Sequence, residues 1–282
     1  MFSAPLDLLF SDLRTRHDAI FFDAYGVLID ANGALPGALD AIATLNAARQ
    51  SFLVVTNDAS RSGVSAATRL QRLGFDIMPA QILSSGMMIA PALRESLHAG
   101  DRVVVLGTAD SADYAREAGV EVVNATLEHP ADAVVIADEG GFDLLDTMDD
   151  TLSMIVAGVA LGKTPRLLLA NPDLIYPAGP GSFGVTAGSL ALVLEHALQR
   201  ILGPTAPVFE PLGKPSVRIF AEAVRRVGTS DAVMIGDQLE TDIVGAQAAG
   251  LATALMLGGV TSREAAHAAG SDGPTYILTS LR

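Results

Sequence analysis

The 282-residue chain contains no cysteine, which excludes a disulfide framework, a thiolate metal site and a thiol nucleophile. Positive charge is scarce as well: 18 Lys and Arg face 32 Asp and Glu, for a formal net charge of −14. Such a surface repels phosphate backbones and anionic membranes, so neither nucleic acid nor a membrane is an expected partner. Long apolar runs are missing too. The longest, around MIVAGVALG, stops at Lys163, far short of the ~18 residues of a membrane span. The opening MFSAPLDLLFSDLRTRHDAI has no basic stretch leading into uninterrupted apolar residues. A signal peptide is therefore not expected, and a soluble cytoplasmic protein is. Internal repeats and low-complexity segments are absent.

What is present is apolar material in short blocks. Half of the residues are hydrophobic, enough for a sizeable core in one large or two ordinary domains. Apolar runs at 19–22, 52–55, 102–106, 133–136, 166–170, 232–235, 253–257 and 276–278 read as strands. Stretches such as ALDAIATLNAAR and GSLALVLEHALQRI between them read as amphipathic helices. Continuous apolar strands alternating with helices predict an α/β fold: a three-layer, Rossmann-like core of parallel strands covered by helices. From about ILSSG (82–86) to Gly188 the chain carries its own strand–helix alternation, the acidic ADEGGFDLLDTMDD and the Pro/Gly-rich NPDLIYPAGPGSFG. This predicts a core from residues 1–80 and 188–282, with an α/β cap inserted at 81–187.

Three strands end in polar residues: IFFD at Asp23, FLVVTN at Thr56 and Asn57, and AVMIGD at Asp237. Ligands of open parallel sheets sit beyond the carboxyl ends of the strands, so these ends could meet. Each aspartate alone could cap a turn, and Thr241 or Asp242 could cap the next helix. A group of carboxylates that includes Asp242, however, is costly without a cation. Oxygen ligands without His or Cys favour Mg2+. Lys214, in a Gly-Lys-Pro turn ahead of a helix that Pro215 could open, would with the cation attract a phosphoryl group, and the Thr56 hydroxyl would add a donor.

Asp23 with Gly26, Thr56-Asn57, Gly213-Lys214-Pro215 and Gly236-Asp237 to Thr241-Asp242 resemble, in order, the four motifs of the haloacid dehalogenase-like superfamily. Asn171-Pro172-Asp173 and Ala187-Gly188-Ser189, with a cap between motifs two and three, are similar to its class IIA branch of 4-nitrophenylphosphatase-like, phosphoglycolate and sugar phosphatases. The resemblance covers nearly the whole chain. It implies a C2-type cap and Mg2+-dependent hydrolysis of a small phosphorylated metabolite, with Asp23 as nucleophile. Asp23, the backbone carbonyl of Tyr25 and Asp237 would hold the metal. Thr56 and Lys214 would bind the phosphoryl oxygens, Asn57 would bind substrate, and Asp242 would orient Lys214 or a metal-bound water. Asn171 and Asp173 would stand near the substrate. The branch also implies homodimers formed through the cap.

One position departs from the family. Where most phosphatases of the superfamily place a second Asp, as general acid and base, this chain has Tyr25. A phenol with a pKa near ~10 can donate a proton but is rarely ionised at neutral pH. Asp23-Ala24-Tyr25-Gly26 also resembles the first motif of 2-haloacid dehalogenases, whose halide leaving group needs no proton. Two alternatives thus stand beside the phosphatase: C–halogen hydrolysis, and a catalytically weak homologue that binds a small ligand. Gly179 to Gly184 spells G-x-G-x-x-G, but with prolines at 177 and 180 and no strand running into it, so a dinucleotide site is not expected. Gly162-Lys163-Thr164 lacks the first glycine of a P-loop, and the five histidines have no ligand-like spacing.

Overall fold

The computed structural model describes residues 5–179 and 182–282. Pro180 and Gly181 of the G-x-G-x-x-G stretch lie outside them. Two compact units emerge: residues 1–56, 63–83 and 214–282 form the first, and residues 57–62 and 84–213 form the second.

The first unit is built on a seven-stranded sheet in the order Leu6–Asp7, Tyr276–Leu278, Ala252–Met256, Ala232–Gly236, Ala19–Phe22, Ser51–Thr56, Ile82–Ser84. From Leu6–Asp7 across to Ser51–Thr56 every pairing is parallel. Every residue of Ala19–Phe22 and Ala232–Gly236 is buried, as expected for central strands sandwiched between helices. Phe21 and Phe22 are fully enclosed, each stabilising the fold by roughly 1.5–3 kcal/mol through burial. The helix Ala38–Ala48 buries Ala38, Ala41, Ile42 and Leu45, the i, i+3, i+4, i+7 stripe of a helix lying on a sheet. Val217–Val227 buries Ile219, Phe220 and Ala223 and stops at Gly228, whose φ of 77° closes the helix in the left-handed region. That helix does not open on Pro215. Ser216 caps it instead, its side chain accepting from the Arg218 N–H, because a hydroxyl can satisfy an orphan N–H that a proline ring cannot.

The second unit holds a five-stranded parallel sheet in the order Glu210–Pro211, Arg166–Leu169, Ala133–Ile136, Arg102–Leu106, Glu121–Val123. The acidic run opens the helix Leu144–Ala160, with Asp143 at its N-cap position and Asp146 in its first turn. Ile175–Gly179 and Ser182–Val185 pair as an antiparallel hairpin, not as the strand-to-helix turn a dinucleotide site requires. One difference from the expected division concerns residues 188–213. Leu190, Leu194 and Leu198 of the helix Ala187–Leu202, together with Phe209, share a core with Val104, Val134, Leu167 and Ile155. The chain therefore returns to the first unit between Gly213 and Lys214, where this apolar face has already been buried. No helix among the described residues is long and apolar enough to cross a membrane.

Candidate active site

The strand Ala19–Phe22 lies between Ala232–Gly236 and Ser51–Thr56, with Phe22 in register with both Ile235 and Val54. Their carboxyl ends consequently sit side by side. Asp23 keeps the ladder for one more step, its N–H donating to the Ile235 carbonyl at 2.8 Å. The chain then turns sharply: Ala24 accepts from the N–H groups of Leu28 and Ile29, and Gly26 takes a φ of +88°. A side chain is excluded at Gly26 on two counts. The dihedral disfavours one, and a Cβ would collide with the Asp237 carboxylate.

The Lys214 ammonium donates to Asp23 Oδ1 at 2.7 Å and to Asp242 Oδ1 at 2.6 Å. Asp242 Oδ2 accepts from the N–H groups of Asp237 and Gln238, both at 3.2 Å, which ties the turn after Ala232–Gly236 to the π-helical turn Leu239–Ile243. Asp237 Oδ2 accepts from the Val260 N–H at 2.9 Å, while its Oδ1 is buried without a hydrogen-bond partner. Oxygens of Asp23, Asp237 and Asp242 lie within 4.8 Å of one another, and all three residues and Lys214 are buried.

Three carboxylates against one ammonium leave two formal negative charges in a buried space. Burial holds the Asp23 carboxyl well above its usual range. Lys214 opposes that rise, and Asp242 and Asp237 add to it. Asp237 is pushed up to about 7, first by burial and then by Asp242, against the Val260 hydrogen bond. The orphaned Asp237 Oδ1, the uncompensated charge and an all-oxygen donor set fit a hard divalent cation.

The structure thus brings together Asp23, Lys214, Asp237 and Asp242. Tyr25 and Thr56, both half-buried, belong to the same unit. Asn57, Asn171 and Asp173 form a group of their own in the second unit. Asn57 Nδ2 donates to Asp173 Oδ1 at 3.0 Å, and the Asp173 N–H donates to Asn171 Oδ1 at 3.1 Å. The loop after Ala252–Met256 was missed in the sequence. Gly259 packs against Asp237, leaving no space for a Cβ. The Thr261 N–H donates to the Asp237 carbonyl at 3.0 Å, and its hydroxyl accepts from the Leu239 N–H at 3.3 Å. Its signal was there to read: Gly258-Gly259 closely follows a largely buried strand whose neighbour, Ala232–Gly236, leads into Asp237.

Neighbouring central strands of a parallel sheet thus lead into Asp23 and Asp237, and Lys214 and Asp242 pack against them. Comparison with known proteins identifies the family. Residues 20–121 match the family of haloacid dehalogenase-like hydrolases, and residues 211–282 match a second, HAD-hydrolase-like family. D-glycerol 3-phosphate phosphatase of Mycobacterium tuberculosis is 32% identical over 96% of this chain and 71% of its own length. Mouse chronophin is also 32% identical, over 96% of this chain and 92% of its own. Among solved structures, a possible sugar phosphatase from Cytophaga hutchinsonii superposes with a TM-score of 0.82 at 31% identity, covering 98% of both chains. Glycerol phosphate phosphatase of M. tuberculosis, in complex with magnesium, gives 0.81 at 29% identity, covering 100% of this chain and 78% of that one. The chain belongs to the haloacid dehalogenase-like hydrolases, in their class IIA branch and among their phosphatase-type members.

Proposed function

We propose that this protein hydrolyses a small phosphorylated metabolite with the help of Mg2+, through an aspartyl phosphate on Asp23. The observation that carries the reading is the buried excess of negative charge around Lys214, with Asp237 Oδ1 left unpartnered. Asp23, the Tyr25 carbonyl and Asp237 are the groups that would hold the ion. When bound, Mg2+ would offset the carboxylate charge and polarise the phosphoryl group.

In the first half-reaction a carboxylate oxygen of Asp23 attacks phosphorus. An O–P bond forms to Asp23 as the bond to the leaving oxygen breaks. Lys214, already 2.7 Å from Asp23, and the Thr56 hydroxyl at the end of the neighbouring strand draw charge from the phosphoryl oxygens. Asp242 orients Lys214 through the second arm of the same ammonium. The leaving oxygen takes its proton from the Tyr25 phenol or from water. In the second half-reaction water attacks phosphorus and gives its proton back to the Tyr25 oxygen, or to solvent where water was the donor, Asp23 leaves as carboxylate, and phosphate is released. Asn57, Asn171 and Asp173 are the candidate substrate-binding residues of the second unit, and a homodimer formed through that unit is the corresponding assembly. The dehalogenase alternative accounts for Tyr25, but the 2-haloacid enzymes work without metal and give no use to Asp237 and Asp242 together.

A screen of metabolite phosphates with Mg2+ and with EDTA tests the reading. Phosphate release confined to the Mg2+ arm, and abolished in Asp23→Asn, is the expected result. Halide release from 2-chloropropionate in EDTA would overturn it.

A further inference from the structure

Residues 57–62, the stretch that follows Thr56, group with the second unit although the chain on either side of them belongs to the first. Their backbone is gripped almost residue by residue by side chains. The Ser85 hydroxyl donates to the Asn57 carbonyl at 2.8 Å, Ser111 to Ala59 at 2.8 Å, Thr108 to Ser60 at 2.7 Å and Tyr114 to Arg61 at 2.9 Å. The Ser62 N–H donates to Asp110 Oδ2 at 2.7 Å. Four of these five side chains come from one short element, the helix Ala109–Arg116 and its N-cap Thr108.

The hydroxyls of that helix serve two purposes with different atoms. Their oxygens accept the helix-opening N–H groups, Ser111 N–H to Thr108 Oγ1 and Thr108 N–H to Ser111 Oγ, both at 3.2 Å. Each hydroxyl proton is spent outward, on a carbonyl of the 57–62 stretch. Tyr114 spends its proton on Arg61 in the same way, so at 3.2 Å Ser84 is the donor to the phenol oxygen. Gly86 makes room for the ring, since a Cβ there would collide with it. Ser84, Ser85 and Ser111 are 0–1% exposed and Tyr114 is 5% exposed. Capping alone would not aim every donor at one strip of backbone.

We propose that Thr108, Ser111 and Tyr114 are positioning residues for the stretch Thr56–Asn57, fixing the backbone just after the phosphoryl-binding threonine. The inference rests on the reading of Thr56 and Asn57 as phosphoryl and substrate ligands. A displacement of such a ligand by about an ångström lowers kcat/KM by up to roughly a hundredfold.

Steady-state kinetics on the phosphate ester found in the Mg2+ screen tests this with Tyr114→Phe, Thr108→Val and the double variant, alongside Thr108→Ser and Thr56→Val. The double variant is expected to lose about tenfold or more in kcat/KM, with Mg2+ affinity unchanged by titration. Thr108→Ser, which keeps the hydroxyl, should match the parent. Hydrogen exchange in peptides covering 57–62 should accelerate in the double variant and not in Thr56→Val. A double variant that folds, exchanges faster at 57–62 and retains kcat/KM within twofold would overturn the inference. So would a Thr108→Ser variant as slow as Thr108→Val. A Thr56→Val variant with parental kcat/KM would instead remove the reading of Thr56 on which the inference stands.

Discussion

In the proposed reaction, proton handling falls to the side chain at position 25. A carboxyl group there could pass a proton to the leaving oxygen and then, as carboxylate, take one from water, whereas a phenol near pKa ~10 is the weaker acid for the first task and becomes a base only by completing it. Tyr25→Asp is therefore expected to raise Mg2+-dependent turnover by about tenfold or more, up to the roughly 10²–10⁴-fold that general acid–base catalysis typically contributes. In the parent, rates across an ester series should fall steeply as the leaving group becomes less acidic, and the variant should flatten that slope. Equal slopes in the two proteins would mean that the proton comes from elsewhere. Lys214 offers a second prediction at this scale. Its ammonium bridges Asp23 and Asp242 inside the unit, and removing one partner of a buried ion pair costs roughly 3–5 kcal/mol. Lys214→Met should lower stability in EDTA by about that amount, read from the urea midpoint, and Mg2+ should recover part of it. A variant as stable as the parent in EDTA would show that the carboxylates are neutral there without the lysine.

At the scale of elements, what could be read from the sequence depended on how each element is stabilised. Ala19–Phe22, Arg102–Leu106, Ala133–Ile136 and Tyr276–Leu278 were legible to the residue because a central strand must be apolar on both faces. Leu6–Asp7, Ile82–Ser84, Glu121–Val123 and Glu210–Pro211 were not. They are two or three residues long and held by backbone pairing at sheet edges, which leaves almost no side-chain pattern. The carboxylates of the site were legible as strand ends. The stretch 57–62 was not, since its attachment runs through backbone carbonyls that any sequence carries. The Gly258-Gly259 loop lies between these cases, and it yields a prediction. Gly259→Ala would press a methyl group into Asp237, so the carboxylate must shift away from Val260 N–H. Mg2+ affinity by calorimetry should fall by about tenfold or more, because misplaced ligands lose coordination, while the circular dichroism spectrum stays parental. Undiminished affinity would mean that Asp237 does not hold the ion.

For the whole molecule, the proposed ion ties metal, proton and stability to the same carboxylates. The proton of Asp237 leaves near 3.8 in an unfolded chain and is held up to about 7 in the fold. Protonation therefore stabilises the metal-free fold fully below about 3.8, and that contribution fades as pH climbs through about 7. Asp23 shifts in the same direction for the same cause, burial. A cation must displace these protons to bind, so its apparent affinity rises with pH across this window. At a hundredfold excess over the dissociation constant, ligand linkage supplies about 2.7 kcal/mol, which for a protein of this size raises Tm by roughly 5 °C. In EDTA the parent should melt at a lower temperature at pH 8 than at pH 6, and saturating Mg2+ should raise Tm more at pH 8 than at pH 6. Scanning calorimetry in the four conditions separates the two effects. A Mg2+-induced rise that was equal at both pH values, or larger at pH 6, would mean that the protons and the cation do not compete for Asp23 and Asp237.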